Sequence, residues 1–163
     1  MSVTVRVATA QDLGAINAIY NHYVHTSTCT FQTIPATRAE RLAWFTEHDA
    51  MHPVTVAVAG AEVIGWGSLS IYNARQAYGR TVESSVYVRH DHHRHGAGRG
   101  LLADLIDRAR ALGHHTLIAT ISADQAPSIA LHQAFGFVEK GRLAELGHKL
   151  GRWVDVAYLQ RMV

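Results

Sequence analysis

Val3, Val5 and Val7 alternate with polar residues, a period-two pattern that predicts an opening strand. Thr9-Ala10-Gln11-Asp12 has the composition of a helix cap. Leu13, Ile16, Ile19, Tyr20 and Tyr23 then fall on one helical stripe. Residues 24–36 are threonine-rich, contain Pro35 and predict a loop. Thr37-Arg38-Ala39-Glu40 is a capping box, in which the first side chain and the fourth satisfy each other's backbone N–H groups. It opens a helix carrying Leu42, Trp44 and Phe45 that ends before Pro53. Val54–Ala59 and Val63–Ile71 flank Gly60-Ala61-Glu62, the pattern of a hairpin.

An irregular connection, Tyr72–Arg80, leads to a strand over Thr81–Val88. A Gly-x-Gly turn follows, and then a helix over Gly98–Leu112 with Leu101, Leu102, Leu105, Ile106, Ala109 and Leu112 as its stripe. Gly113 ends that helix as a C-cap residue does. Thr116–Ile121 is rich in β-branched residues, Pro127 fits the first turn of a helix reaching Phe135, and Gly136 breaks it. Phe137-Val138 start a further strand and Val154–Met162 supply the last. The order β-α-α-β-β-β-α-β-α-β-β predicts an α/β fold: one mixed sheet with helices on both faces.

The 163 residues suit a single domain, 1–163, and 48% hydrophobic with 17% charged is a globular balance. A net charge of +2 without a Lys/Arg run argues against nucleic acid or an anionic membrane as partner. The single cysteine, Cys29, excludes an internal disulfide framework. No basic segment followed by an apolar core opens the chain, and no apolar run approaches a membrane span of about 20 residues. A cytoplasmic protein is expected. Of the 12 histidines, four stand in His90-Asp91-His92-His93-Arg94-His95. That run lacks helical i, i+4 ligand spacing and cysteine ligands, so it reads as a solvated loop and no metal is expected.

The candidate chemistry gathers around the central glycine turn. A strand that ends in His93-Arg94-His95-Gly96-Ala97-Gly98-Arg99 and enters a helix points several N–H groups at one spot, which suits a pyrophosphate. The turn is no dinucleotide fingerprint, because its strand is central and no acidic residue closes the next strand. Glu83 lies upstream, on the strand face opposite Val82, Ser84 and Val86. A carboxylate in so apolar a strand is a candidate proton acceptor for an amine, directly or through water. An anion cradle beside a general base indicates a nucleotide-linked transferase. His132 falls between the core positions Ile129, Leu131 and Phe135 and is placed to protonate a leaving thiolate. In Asn73-Ala74-Arg75-Gln76-Ala77-Tyr78, Arg75 is a candidate bidentate clamp for an acceptor's anion. Cys29 has no activating His–Asn pair near it in sequence and reads as a structural thiol.

These residues, together with Asn21-His22-Tyr23-Val24, Ser27-Thr28, Thr30-Phe31 and Pro35, resemble the GCN5-related N-acetyltransferases (GNAT). Within them the chain is similar to the phosphinothricin and methionine sulfoximine acetyltransferases. The segments Thr81–Val88, Arg94 with Gly96-Ala97-Gly98, Pro127-Ser128 with Leu131-His132, Gly136-Phe137 and His148–Val156 carry the same resemblance. It implies acetyl-CoA as donor, a small amino acid-like amine as acceptor, and a homodimer with the acceptor pocket near its interface. It implies that Val86, Tyr87 and Val88 bind pantetheine and the acetyl carbonyl through their main chain. His93, Arg94, His95, Gly96, Ala97, Gly98 and Arg99 would hold the pyrophosphate, and Gln125 and Ser128 would line the pantetheine arm. Glu83 matches the catalytic glutamate and His132 the family's histidine. Asn73, Ala74, Arg75, Glu83, Ser84 and Ser85 would contact the acceptor, with Phe31 and Tyr78 shaping its pocket. Two positions depart from the superfamily pattern: His93 stands where Gln or Arg is usual, and Gln125 where Asn is common. Other readings keep the fold: acetylation of a protein N-terminus or a polyamine, or a non-catalytic acyl-CoA-binding module. A polyamine site calls for acidic residues, and 24–36 and 72–80 contain none while carrying Arg75 and Arg80.

Overall fold

The computed structural model describes residues 2–163. The elements are β1 (Val3–Val7), α1 (Leu13–Thr26), α2 (Arg38–Thr46), β2 (Val54–Ala59), β3 (Glu62–Ile71), β4 (Thr81–Val88), α3 (Ala97–Ala111), β5 (Thr116–Ser122), α4 (Ala126–Ala134), β6 (Val138–Lys149) and β7 (Arg152–Met162). They form one seven-stranded sheet in the order β1-β2-β3-β4-β5-β7-β6. Every neighbouring pair is antiparallel except β4 with β5. The expected α/β architecture is therefore present, element for element.

One face of the sheet carries α3 and α4. Leu102, Leu105, Ile106 and Ala109 of α3 meet Leu69, Val82, Leu117, Ala119 and Leu159 there, all 3% exposed or less. α3 lies close on β3 because Gly65 and Gly67 have no side chains. A Cβ at Gly65 would stand 3.1 Å from Leu101 Cδ1, and one at Gly67 3.0 Å from Leu105 Cδ1. The other face carries α1 and α2, where Ile16, Ile19 and Tyr23 pack on Val54, Val56 and Trp66. Burying each large aliphatic side chain contributes about 1.5–3 kcal/mol, which gives both layers ample driving force.

Two details differ from the pattern in the sequence. The loop expected from residue 24 starts at Ser27, because Val24 is buried at 2% exposed and holds another helical turn. On α2 the buried residue is Arg41, while Leu42 faces solvent. The Arg41 guanidinium lies 4.7 Å from the ring centroids of both Tyr20 and Trp44 and donates from Nε to Asn17 Oδ1 at 3.1 Å. Cation–π stacking and its long apolar stem let arginine take a position a leucine would be expected to fill.

Candidate active site

β4 and β5 are paired only over Thr81–Glu83 and Thr116–Ile118. Beyond Glu83 the two strands part, and the gap opens into a cavity of about 700 Å³. Along a strand, successive peptide groups point to opposite edges. The Arg89 N–H bonds to Ile64 O on β3. By alternation, the main-chain groups of Ser84, Val86 and Val88 point away from β3; the Val88 carbonyl is taken by the Tyr23 hydroxyl, while the Val86 groups and the Val88 N–H face the gap. A row of unpaired N–H and C=O groups along a cleft is what an extended, amide-bearing ligand can pair with, as an added strand would.

The mouth of the gap is the start of α3. Arg94 and Gly96 both have positive φ, 65° and 87°, so the turn coils its peptide N–H groups inward. Glycine is needed at residue 96 for this conformation without a side-chain penalty. Among the described residues no side chain caps α3, which leaves the N–H groups of its first turn free for an anion at the positive end of a 15-residue helix dipole. Arg94 and Arg99 stand exposed beside it, Arg99 with its guanidinium 5.1 Å from the Phe135 ring centroid.

The cavity brings together Ser84, Ser85, Val86, Tyr87, Val88, His93, Arg94, Gly96, Gly98, Arg99, Gln125, Ser128 and His132 of the expected residues. His95 and Ala97 lie off its wall, His95 on the exposed turn and Ala97 buried at the start of α3, and the expected Glu83, Phe31, Asn73, Ala74, Arg75 and Tyr78 do not line it either. His93 donates from Nε2 to the Tyr23 hydroxyl at 2.7 Å. That hydroxyl donates in turn to the Val88 carbonyl. Burial pushes the Tyr23 phenol up to about 12, so it stays a donor. The pair thus ties α1 to the end of β4. In the neighbouring loop, Asp91 holds Arg89 at 2.7 Å and His92 at 2.8 Å, and these interactions keep its carboxyl far below the usual range.

His132 is 4% exposed and set edge-to-face on Phe137, with ring centroids 5.0 Å apart. Its Nδ1 lies 2.8 Å from Ser128 O. A carbonyl only accepts, so Nδ1 carries the proton. Burial lowers the imidazole pKa and keeps the ring neutral. The remaining nitrogen, Nε2, therefore offers a lone pair rather than a proton.

Glu83 occupies the last rung before the strands part, opposite Ser70 on β3 and Ile118 on β5. It is half-buried, on the sheet face it shares with Ser85 and Tyr87. Among the described residues its carboxylate has no hydrogen-bond or ion-pair partner. The 72–80 connection joins β3 to β4 just before it and so lies at the same end of the sheet. There Asn73 Oδ1 accepts from the Arg75 N–H at 3.0 Å, and Tyr72 and Tyr78 stack edge-to-face at 5.5 Å. Arg75 itself is exposed.

Sequence reasoning missed the staple that closes the far side. Thr28 donates to Asp124 Oδ2 at 2.7 Å, accepts from Gln125 Nε2 at 3.2 Å, and gives its carbonyl to the Ser122 hydroxyl. Arg152 pairs with the same Asp124. The α1–α2 loop is thereby bound to the β5–α4 junction, across the mouth of the gap. Lys149, 5% exposed, caps the end of α1 by donating to Tyr23 O at 3.2 Å and holds Thr30 O at 2.7 Å. Thr28 and Lys149 stand 94–126 residues from their partners, and no local pattern announces them. Cys29 also lines the cavity, and burial raises its thiol pKa.

A mixed sheet parted at its one parallel step, with an uncapped helix at the mouth of the gap, defines the class. Residues 16–137 match the acetyltransferase (GNAT) family, and the chain belongs to this family of N-acetyltransferases. It is 41% identical to the L-methionine sulfoximine/L-methionine sulfone acetyltransferase of Pseudomonas aeruginosa, over 98% of this chain and 94% of that one. It is 39% identical to the phosphinothricin N-acetyltransferase of Streptomyces viridochromogenes, over 98% and 87%. The solved structure of a phosphinothricin acetyltransferase from Sinorhizobium meliloti, in complex with acetyl-CoA, matches with a TM-score of 0.95 at 37% identity. That match covers 100% of this chain and 89% of the other.

Proposed function

We propose that this enzyme transfers the acetyl group of acetyl-CoA directly to the amine of a small amino acid-like acceptor, of the phosphinothricin, methionine sulfoximine or methionine sulfone type. The observation that carries the reading is the gap past Glu83. Free peptide groups for a pantetheine arm run along one edge, an anion cradle lies at the mouth, and an unpaired carboxylate sits at the vertex. The names of the relatives support the acceptor class.

In this reading both substrates are bound together. Pyrophosphate sits on the turn 93–99 and the first turn of α3, and pantetheine runs between β4 and β5, past Gln125 and Ser128. The acceptor lies on the Glu83 side, with Phe31 and Tyr78 shaping its pocket, Asn73, Ala74, Ser84 and Ser85 around it, and Arg75 holding its anionic group. Glu83, through water, takes one proton from the ammonium. The free amine adds to the thioester carbonyl, whose developing oxyanion is held by N–H groups at Val86–Val88. The C–S bond breaks, and the second nitrogen proton reaches the thiolate through a water held on the His132 Nε2 lone pair. A covalent route through Cys29 is disfavoured, because the raised pKa keeps it a thiol. The protein acts in the cytoplasm as a homodimer.

The test is CoA release from acetyl-CoA against phosphinothricin, methionine sulfoximine, methionine sulfone, methionine, spermidine and a short peptide. Turnover with the tetrahedral phosphorus or sulfur acceptors is expected. Turnover with peptide or spermidine alone discards this acceptor class. No thiol release with any amine discards the enzyme reading.

A further inference from the structure

We propose that Gly147 is a specificity-determining position: its missing side chain seats the Phe31 ring and so sets the width of the acceptor pocket. The inference rests on the reading above that Phe31 shapes that pocket. A Cβ built at Gly147 would stand 2.3, 2.6 and 2.8 Å from Phe31 Cε2, Cζ and Cδ2. These distances are far inside van der Waals contact, and all three atoms belong to one aromatic ring. The ring therefore lies on the bare α-carbon of β6.

Both backbones are tied to neighbouring segments near this contact. The loop that carries Phe31 is held on both sides: Lys149 Nζ donates to Thr30 O at 2.7 Å, and Tyr20 Oη and Thr30 Oγ1 are 2.7 Å apart. Two residues further back, Thr28 is bound to Asp124 and Ser122. On the other side, Gly147 is in register with Val154 of β7 directly after a bulge. Gly147 is not among the glycines with positive φ, so its backbone accepts an L side chain and the nearest obstacle is the ring. Phe31 is 41% exposed and has space to turn. A methyl group at residue 147 is thus relieved by rotation of Phe31 about its own side-chain torsions, and the acceptor pocket changes shape with it.

The experiment is Gly147→Ala, with Phe31→Ala and the double variant. For Gly147→Ala the expected result is an acceptor KM raised about tenfold, on the scale of one misplaced methylene in a pocket. The acetyl-CoA KM stays within about twofold, as a change confined to the acceptor side requires. In the Phe31→Ala background Gly147→Ala should have no further effect, because nothing is left to displace. An unchanged acceptor KM, or an effect of the same size without the ring, overturns the proposal. A crystal structure of Gly147→Ala decides without any acceptor. A rotated ring supports the proposal, and an unmoved ring beside a bent β6 refutes it. If the wild type acetylates no amino acid-like amine, the acceptor reading fails, and the ring position alone judges the seat.

Discussion

A carboxylate that must take a proton from an ammonium has to sit where the acceptor meets the thioester and must not be spent on another partner. Glu83 is half-buried at the vertex of the gap and has no ion pair among the described residues. Glu83→Gln keeps the shape and removes the base. We expect kcat to fall by about 10²–10⁴, with acetyl-CoA affinity measured by calorimetry retained. An unchanged kcat removes Glu83 from the mechanism. Arg75 is exposed and, among the described residues, makes no side-chain bond of its own, so Arg75→Ala should raise the acceptor KM while leaving that for acetyl-CoA alone. Equal KM values in variant and wild type would leave Arg75 a surface residue. His132 gives a test in stability. Its native pKa is lowered by burial, so below the ordinary histidine value of about 6.5 the unfolded chain binds a proton that the folded chain refuses. Stability from this group is full above that pH and is lost as pH falls toward the native pKa. Urea midpoints measured from neutral pH downward should drop less steeply for His132→Gln than for the wild type. Parallel curves would show that the ring is not held neutral.

At the scale of elements, the placement of α3 decides where its uncapped N-terminus points, and two glycines on β3 set that placement. Gly67→Val would press into Leu105 and the Ser85 carbonyl, each 3.0 Å from the first added carbon. Overpacking of this kind costs about 1–3 kcal/mol, visible as a lower urea midpoint. It should also raise the acetyl-CoA KM, because lifting α3 tilts the anion cradle away from β4. A destabilised variant with an unaltered acetyl-CoA KM would uncouple the helix seat from the cofactor site. The elements themselves were legible in the chain. Alternating Val3, Val5 and Val7, the capping box at Thr37 and the glycine turn each encode a local preference, and local preferences survive folding. Arg41 was not legible, because its burial depends on Tyr20 and Trp44 flanking it, and Asn17 supplies its acceptor. The Thr28–Asp124–Arg152 staple was not legible for the same reason: it exists only once the sheet has brought residues far apart in sequence to one end. The candidate site divides likewise. The anion turn and Glu83 announce themselves by type and context, whereas Tyr23 on His93 and Phe31 on Gly147 are pairings that the fold alone creates.

For the whole molecule, the last strand pair poses a problem of exposure. β6 is the outermost strand and runs for 12 residues, well beyond a typical edge. It is broken by irregularities between Glu139 and Gly141 and between Leu143 and Gly147, which blunt the edge against uncontrolled pairing. Yet Leu143, Leu146, Leu150 and Trp153 remain 49–61% exposed along β6, β7 and the turn between them. Apolar side chains gathered at one end of a sheet favour association, and a second copy of the chain offers the same surface in return. We expect light scattering to give twice the chain mass, and Leu146→Glu to return it to the monomer by burying a charge at the contact. A wild-type monomer, or a dimer indifferent to this charge, would move the contact elsewhere or abolish it. Leu146 adjoins Gly147, where the Phe31 ring rests, so a dimer built on this edge would brace the acceptor side of the site. Loss of the dimer should then raise the acceptor KM more than the acetyl-CoA KM, since the cradle for the cofactor lies across the sheet between β4 and α3.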